Sequence, residues 1–103
     1  MAALTPTLVA TIDEGGGTYK KCIFTLTPQA DGDTIDLSTY FSSIIKASAY
    51  LTAGLDANLT LLIPSYSGTT VTIAQKKADG ATSASDWTGA SITMEVIGLA
   101  QGV

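Results

Sequence analysis

Alternation of threonine and other polar residues with apolar residues is the feature that most constrains the fold of this chain. Sixteen of its 103 residues are threonine, and many lie in runs such as 69–75, where apolar residues recur at every second position. A period of two places successive side chains on opposite faces of a β-strand, and β-branched residues favour strands. We therefore predict an all-β fold.

Glycine, proline and Asp-Gly pairs divide these runs at intervals of about ten residues. The first two runs, 7–12 and 18–27, predict a β-hairpin whose loop is Gly15–Gly17, because consecutive glycines supply positive φ angles. Further strands are predicted at 34–37, 44–52, 58–63, 69–75 and 91–97, with a long loop at 76–88. This pattern is typical of an antiparallel β-sandwich or a jelly-roll-like barrel of six or seven strands. We expect a single β domain over residues 1–103 with short flexible ends, including a tail at 98–103.

Residues 38–49 fit two structures. Apolar residues at 37, 40, 41, 44 and 45 have helical spacing, and Ser38 is a candidate N-cap. The segment from Ile44 onward also alternates, with residues 45, 47, 49 and 51 on one face. We predict one helical turn at 38–42, followed by a strand whose odd-numbered residues point inward, so that the fold has at most one short helix.

The same alternation separates inward from outward side chains. Cys22 shares a face with Phe24 and Leu26, which predicts a buried thiol that acts as a small hydrophobe. Residues 8, 10 and 12 share the inward face of the first strand, and Pro64 is expected to end the strand at 58–63. Outward apolar residues then fall on nearly every strand, and they define a predicted interface of Val9, Ile23, Ile44, Tyr50, Leu62 and Ile97.

Low charge supports an assembly. Charged residues make up 14% of the chain, whereas typical globular domains carry roughly 25%. Together with an apolar patch on the outer faces, this favours a homo-oligomer, and a trimer is the expected state. A neutral surface without any partner is the alternative interpretation.

Several classes of function are disfavoured by composition. The chain has no histidine and no arginine, and its one cysteine has neither a histidine to activate it nor a second cysteine for a disulfide. The net charge of −4, with lysines paired only at 20–21 and 76–77, argues against nucleic acid. No apolar run is long enough for a membrane span, and the N-terminus lacks the pattern of a signal peptide. We expect no enzyme, no cofactor and no metal.

Two further features suggest ligands. Three carboxylates, Asp31, Asp33 and Asp36, have a spacing that could offer oxygens to calcium, but they lack the geometry of an EF-hand loop, and capping of backbone amides is the expected role. Aromatic residues at Tyr66 and Trp87, with Tyr50 on an outer face, could stack on sugars, and Trp87 could instead cap the core. A carbohydrate-binding or adhesin-like module is therefore an alternative function.

Three segments resemble small structural proteins of tailed bacteriophages, especially capsid decoration or cement proteins. They are the glycine-rich hairpin at 13–17, the Gly-Asp-Thr-Ile-Asp-Leu-Ser-Thr-Tyr run at 32–40, and the closing segment at 88–98. The resemblance implies a β-rich virion protein, assembled in the cytoplasm of a host bacterium, that binds the major capsid protein, often as a trimer, and bridges neighbouring subunits. A tail or neck component of the virion is a further alternative. The resemblance does not identify any functional residue in this chain.

Overall fold

The computed structural model describes residues 3–14, 18–54 and 56–101, and these residues form a two-layer β-sandwich without a helix. They contain eight strands, one more than the upper end of the predicted range, because Ala3 and Leu4 also pair. The strands are β1 (Ala3–Leu4), β2 (Thr7–Glu14), β3 (Tyr19–Leu26), β4 (Asp33–Asp36), β5 (Phe41–Ala53), β6 (Leu61–Ser67), β7 (Thr70–Lys76) and β8 (Ser91–Ala100).

The strands divide into two sheets of four. One sheet has the order β1-β4-β7-β6 and the other the order β2-β3-β8-β5. All neighbours are antiparallel except β1 and β4, which run parallel. The predicted hairpin of β2 and β3 is confirmed, whereas its predicted loop at 15–17 lies outside the described residues.

The core lies between the two sheets and follows the alternation of β3, β7 and β8. Cys22, Phe24 and Leu26 are all buried, which confirms the predicted inward face of β3. In the same sheet β8 supplies residues 92, 94 and 96, and in the facing sheet β7 supplies Val71 and Ile73. Burial of such side chains contributes roughly 1.5–3 kcal/mol each, so this strict alternation is the main source of stability.

Strand β5 departs from simple alternation because it carries β-bulges. One extra residue lies between Phe41 and Ser43, and another lies between Ile44 and Lys46. Each bulge adds a residue to the exposed side, so the inward positions 41, 44 and 47 are three apart rather than two. This spacing imitates one face of a helix, which explains why the sequence fits both structures.

The bulges also correct two predicted orientations. Ile44, expected on the outside, is only 5% exposed and belongs to the core, whereas Ile45, expected inside, is 46% exposed. Beyond the second bulge the prediction is confirmed, because residues 47, 49 and 51 pack against the core. The predicted helical turn is a hydrogen-bonded turn before β5, in which the amides of Tyr40 and Phe41 donate to the Leu37 carbonyl at 2.9 and 3.0 Å.

Strand β6 begins and ends later than predicted. Asp56 and Leu59 form an isolated bridge ahead of it, and Leu59 packs in a small separate cluster with Ala84 and Ala90. The chain is interrupted between Leu59 and the start of the strand at 61, so Leu59 and Leu62 both point inward although they are three residues apart, and Leu62 is not on the outside as predicted.

Pro64 does not stop β6 but lies within it. β6 is the edge strand of its sheet, where a proline is tolerated because the missing N–H can lie on the unpaired side. Pro64 therefore sits opposite Ile73 in the ladder without interrupting the strand.

Strand β8 continues through the predicted tail as far as Ala100. Gly98 is buried at the point where β5 crosses close to β8, and it pairs with Ile44. A Cβ atom built on Gly98 would lie 2.8 Å from Cδ1 of Phe41 and closer still to the carbonyl oxygen of Ser43. Among the described residues, no helix has the length and apolar character needed to cross a membrane.

Candidate interaction surface

The side of the β2-β3-β8-β5 sheet that faces away from the core is the candidate site, and we call it the outer face. Its centre is set by the register of β3 and β8, which places Ile23 opposite Glu95 and Lys21 opposite Ile97. On the other side of β3, Ile12 of β2 lies opposite Lys21. The four residues of β3 and β8 have the opposite parity to the buried residues of those strands, and Ile12 shares their face because it pairs with Lys21.

Bulges enlarge the apolar part of the outer face at both of its edges. In β2, Val9 is the extra residue of a bulge, so Val9 and Ala10 together oppose Ile23. In β5, Ile45 is the extra residue in the same way, and it lies with Lys46 opposite Ile97. Val9 is 60% exposed, the highest value among the large apolar residues of the core and surface. The bulges therefore put two additional apolar side chains on the outer face.

Further residues complete the outer face beyond its centre. Tyr19 and Leu99 are opposite one another at one end, and Tyr50 lies opposite Thr93 towards the other. Tyr50 is half exposed, and Tyr19 is exposed to a similar degree. The apolar residues of the outer face are Val9, Ile12, Tyr19, Ile23, Ile45, Tyr50, Ile97 and Leu99.

One ion pair lies at the centre of this apolar surface. The Lys21 ammonium is 3.3 Å from the Glu95 carboxylate, and both side chains are about one third exposed, at 28% and 34%. An exposed pair of this kind contributes at most about 1 kcal/mol to folding. Its position among isoleucines is better suited to directing a contact than to stabilising the strand.

The outer side of the other sheet is different in chemistry. A cross-strand row there consists of Thr34, Thr72 and Ser65, and apolar side chains are concentrated on its β6 edge at Leu61 and Ile63. The hydroxyl side chains of that row keep it compatible with water. The outer face has a hydroxyl row as well, at Thr7, Thr25 and Thr93, but its large apolar side chains lie on all four strands.

Four of the six predicted interface residues lie on the outer face, namely Val9, Ile23, Tyr50 and Ile97. The other two, Ile44 and Leu62, point into the sandwich. The bulge in β5 turns Ile44 inward, and the interruption of the chain before β6 turns Leu62 inward.

Alternation also predicted the wrong orientation for two side chains of β2, because the bulge at Val9 changes which residues point inward. Leu8 lies opposite Phe24 on the side of the core, but it is 41% exposed and outside the core cluster, and Ala10 and Ile12 lie on the outer face. Sequence reasoning missed Ile12, Tyr19, Ile45 and Leu99 as surface residues. Parity within β3 and β8 alone would have identified Tyr19 and Leu99, whereas Ile12 and Ile45 depend on bulges.

We compared the chain with protein-family models, with curated proteins and with solved structures. None of them matches. The outer face must therefore be interpreted from its own chemistry.

The acidic turn after β3 serves as a scaffold for backbone amides. The Asp33 carboxylate is fully buried and accepts hydrogen bonds from the amides of Gln29 and Ala30 at 2.9 and 3.1 Å, and from Gln75 Nε2 at 2.7 Å. Asp36 accepts from the Ser38 amide at 2.9 Å, which lowers the pKa of Asp36. These two carboxylates are occupied by N–H donors, as a capping role requires.

Asp31 connects this turn to the loop after β7. Its carboxylate accepts from Lys76 Nζ and Ser83 Oγ, each at 2.6 Å, and from the Gln75 amide at 2.7 Å. The hydrogen bond from Lys76 is the main reason that the pKa of Asp31 lies far below its usual range. Within the described ranges, no three histidine, cysteine, aspartate or glutamate residues are grouped in a way that could hold a metal ion.

The candidate aromatic residues do not form a common platform. Trp87 is partly buried against the cluster around Leu59, and its indole N–H donates to Gln75 Oε1, so it caps the core as predicted. Tyr66 lies on the β6 edge, where its hydroxyl donates to the Ile45 carbonyl. Tyr50 lies on the outer face, opposite Thr93.

Proposed function

We propose that the protein is a non-enzymatic structural protein of a bacteriophage virion that decorates the capsid and bridges neighbouring capsid subunits. In this proposal the outer face makes the protein contacts on which assembly depends. The chain works as a homo-oligomer, and it needs neither a cofactor nor nucleic acid.

The contrast between the two outer surfaces carries this proposal. Side chains such as Val9, Ile12 and Ile45 are about half exposed, and large apolar residues lie on all four strands of this face, whereas on the outer side of the other sheet they are concentrated on β6. Continuous apolar patches on one side of a small protein mark interaction sites. The position in a virion comes from the resemblance of the three sequence segments, and it gives the partner its identity.

Sugar binding has less support from the geometry. Lectin-like recognition requires aromatic rings exposed side by side with polar groups, but the Trp87 ring packs against a core cluster and the Tyr66 hydroxyl is bonded to the backbone. A tail or neck position shares the requirement for an apolar contact surface, and the experiment below separates it from decoration.

Sedimentation with capsids tests the proposal. Capsids assembled without the protein should bind it when it is added back, and they should then resist heating to a higher temperature. Ile23→Asp should weaken binding, because it places a charge on the outer face, whereas the matched Ile63→Asp, on the outer side of the other sheet, should bind as the wild type does. If the wild-type protein binds tails but never capsids, decoration is wrong and the tail alternative holds.

A further inference from the structure

The ion pair at the centre of the outer face restricts what can cover it. When an apolar surface buries a lysine and a glutamate, both lose water, and the attraction between the two charges repays only part of that loss. A covering surface that brings a carboxylate to Lys21 and an ammonium group to Glu95, surrounded by apolar side chains, offsets more of it and is therefore the favoured partner.

The four central residues form a block with internal symmetry. On β3 lie Ile23 and Lys21, and opposite them on β8 lie Glu95 and Ile97. One diagonal of the block joins Lys21 to Glu95, and the other joins Ile23 to Ile97. Consider a rotation of 180° about the line from Ile23 to Ile97. It moves Lys21 to the place of Glu95 and Glu95 to the place of Lys21, while both isoleucines keep their places.

We propose that the occupant of the outer face is a second copy of this chain, packed face to face about that two-fold axis. Lys21 then lies against Glu95 of the partner subunit, Glu95 lies against Lys21 of the partner subunit, and four charges alternate in sign. Ile23 and Ile97 each meet the same residue of the other copy. A contact of this isologous type needs a self-complementary surface, which the block supplies.

The size of the outer face is sufficient for such a contact. Four strands about 4.8 Å apart, with roughly eight residues rising about 3.3 Å each, give a surface of roughly 19 by 26 Å. A projected area of roughly 500 Å² corresponds to the small end of specific interfaces, at which reversible dimers are expected. Lys46 also lies on this face, at its β5 edge opposite Ile97, and is exposed in the single chain.

The two-fold symmetry gives the proposed capsid decoration a way to bridge subunits. This bridging step rests on the proposed function. A two-fold dimer presents every remaining surface twice, so one dimer can hold two capsid subunits at once. The self-association itself is a property of the protein in solution, and it can be measured without capsids.

Charge reversal and mixing test the crossed ion pairs. Wild-type protein should be in a concentration-dependent equilibrium between monomer and dimer in sedimentation equilibrium. Lys21→Glu and Glu95→Lys should each raise the dimer dissociation constant at least ~10-fold, because like charges then face each other across the axis. An equimolar mixture of the two variants should restore the dimer, since every crossed pair is again of opposite sign.

Three controls keep the test specific. Lys77→Glu makes the same change in net charge within the loop after β7, and it should dimerise as the wild type does. The double variant K21E/E95K should also dimerise normally. Ile23→Thr keeps a β-branched residue in the strand, and it should weaken the dimer without altering the melting temperature by more than a few degrees.

Each contrary result overturns the inference. A wild-type protein that stays monomeric at ~1 mM has no contact of the proposed kind. A trimer lacks the two-fold axis, and a mixture of the single variants that stays monomeric excludes the crossed pairs. If Ile23→Asp abolishes capsid binding while the wild type is monomeric, the capsid rather than a second copy occupies the outer face, and the proposed function stands alone.

Discussion

Replacing Gly98 by alanine is expected to destabilise the sandwich because β5 passes too close to β8 for a side chain. The new methyl group would overlap the carbonyl oxygen of Ser43 and lie 2.8 Å from the buried Phe41 ring, with Cα of Ile44 at 3.2 Å. Two of these neighbours are backbone atoms and the ring is in the core, so β5 must move away from β8 as a unit.

The size of the effect follows from two contributions. Overfilling a packed site costs about 1–3 kcal/mol. Displacement of β5 also weakens ladder hydrogen bonds next to its bulges, at about 0.5–1.5 kcal/mol each. We therefore expect a loss of about 3 kcal/mol, which lowers the melting temperature by roughly 12 °C or more for a domain of this size.

Thermal and urea denaturation measure this loss, and Gly68→Ala is the matched control. Gly68 has a φ angle of +60°, and a Cβ atom there meets nothing within 4 Å. Its substitution costs only the strain of a left-handed backbone, about 1 kcal/mol. If Gly98→Ala costs no more than Gly68→Ala, then β5 does not approach β8 as closely as described, and the reasoning about Gly98 is wrong.

Three more outcomes are expected in solution. Cys22, which is fully buried, should react slowly with a thiol reagent in the native protein and rapidly in denaturant, and rapid native labelling would contradict the inward face of β3. Hydrogen bonds from the Thr82 side chain and from loop amides lower the pKa of Asp79 from 3.8 to about 2, and the pKa of Asp31 is lowered too. Their carboxylates therefore contribute stability that is complete above about pH 4 and is lost as the pH falls through 2, and Asp79→Asn should flatten this decline in melting temperature. Trp87→Phe leaves the buried Gln75 oxygen without its indole donor, at a cost of about 1–3 kcal/mol in urea denaturation, and an unchanged midpoint would show that water replaces the indole.

Prediction from sequence succeeded where each strand keeps a period of two. The hairpin of β2 and β3, the buried Cys22, and the all-β class followed from alternation and turn residues. It failed at bulges and at strand starts. The extra residue at Ile45 places Ile44 inward and Ile45 outward, opposite to the prediction, and the interruption of the chain before β6 places Leu62 inward.

These failures share a physical cause. A bulge depends on which residues of the neighbouring strand lie opposite, so it is decided by sheet pairing and not by the local run of residues. The outer face was consequently only partly foreseen: Ile23 and Ile97 belong to regular strands, while Ile12 lies beyond the bulge at Val9. The central ion pair was not predicted, since it requires the register of β3 against β8.

The sheet edges determine how safely this protein can be concentrated. Strand β1 has two residues and β6 contains Pro64, so neither edge is a long template for another strand. Strand β2 is an eight-residue edge with exposed apolar side chains and without proline or lysine, and its two charges, Asp13 and Glu14, are both at its end, so its first six residues have a composition that favours fibrous aggregation. Its bulge at Val9 bends and twists this edge, so that a second straight strand cannot pair along its full length. Val9, which enlarges the apolar part of the outer face, thereby also protects this edge against open-ended growth into fibres.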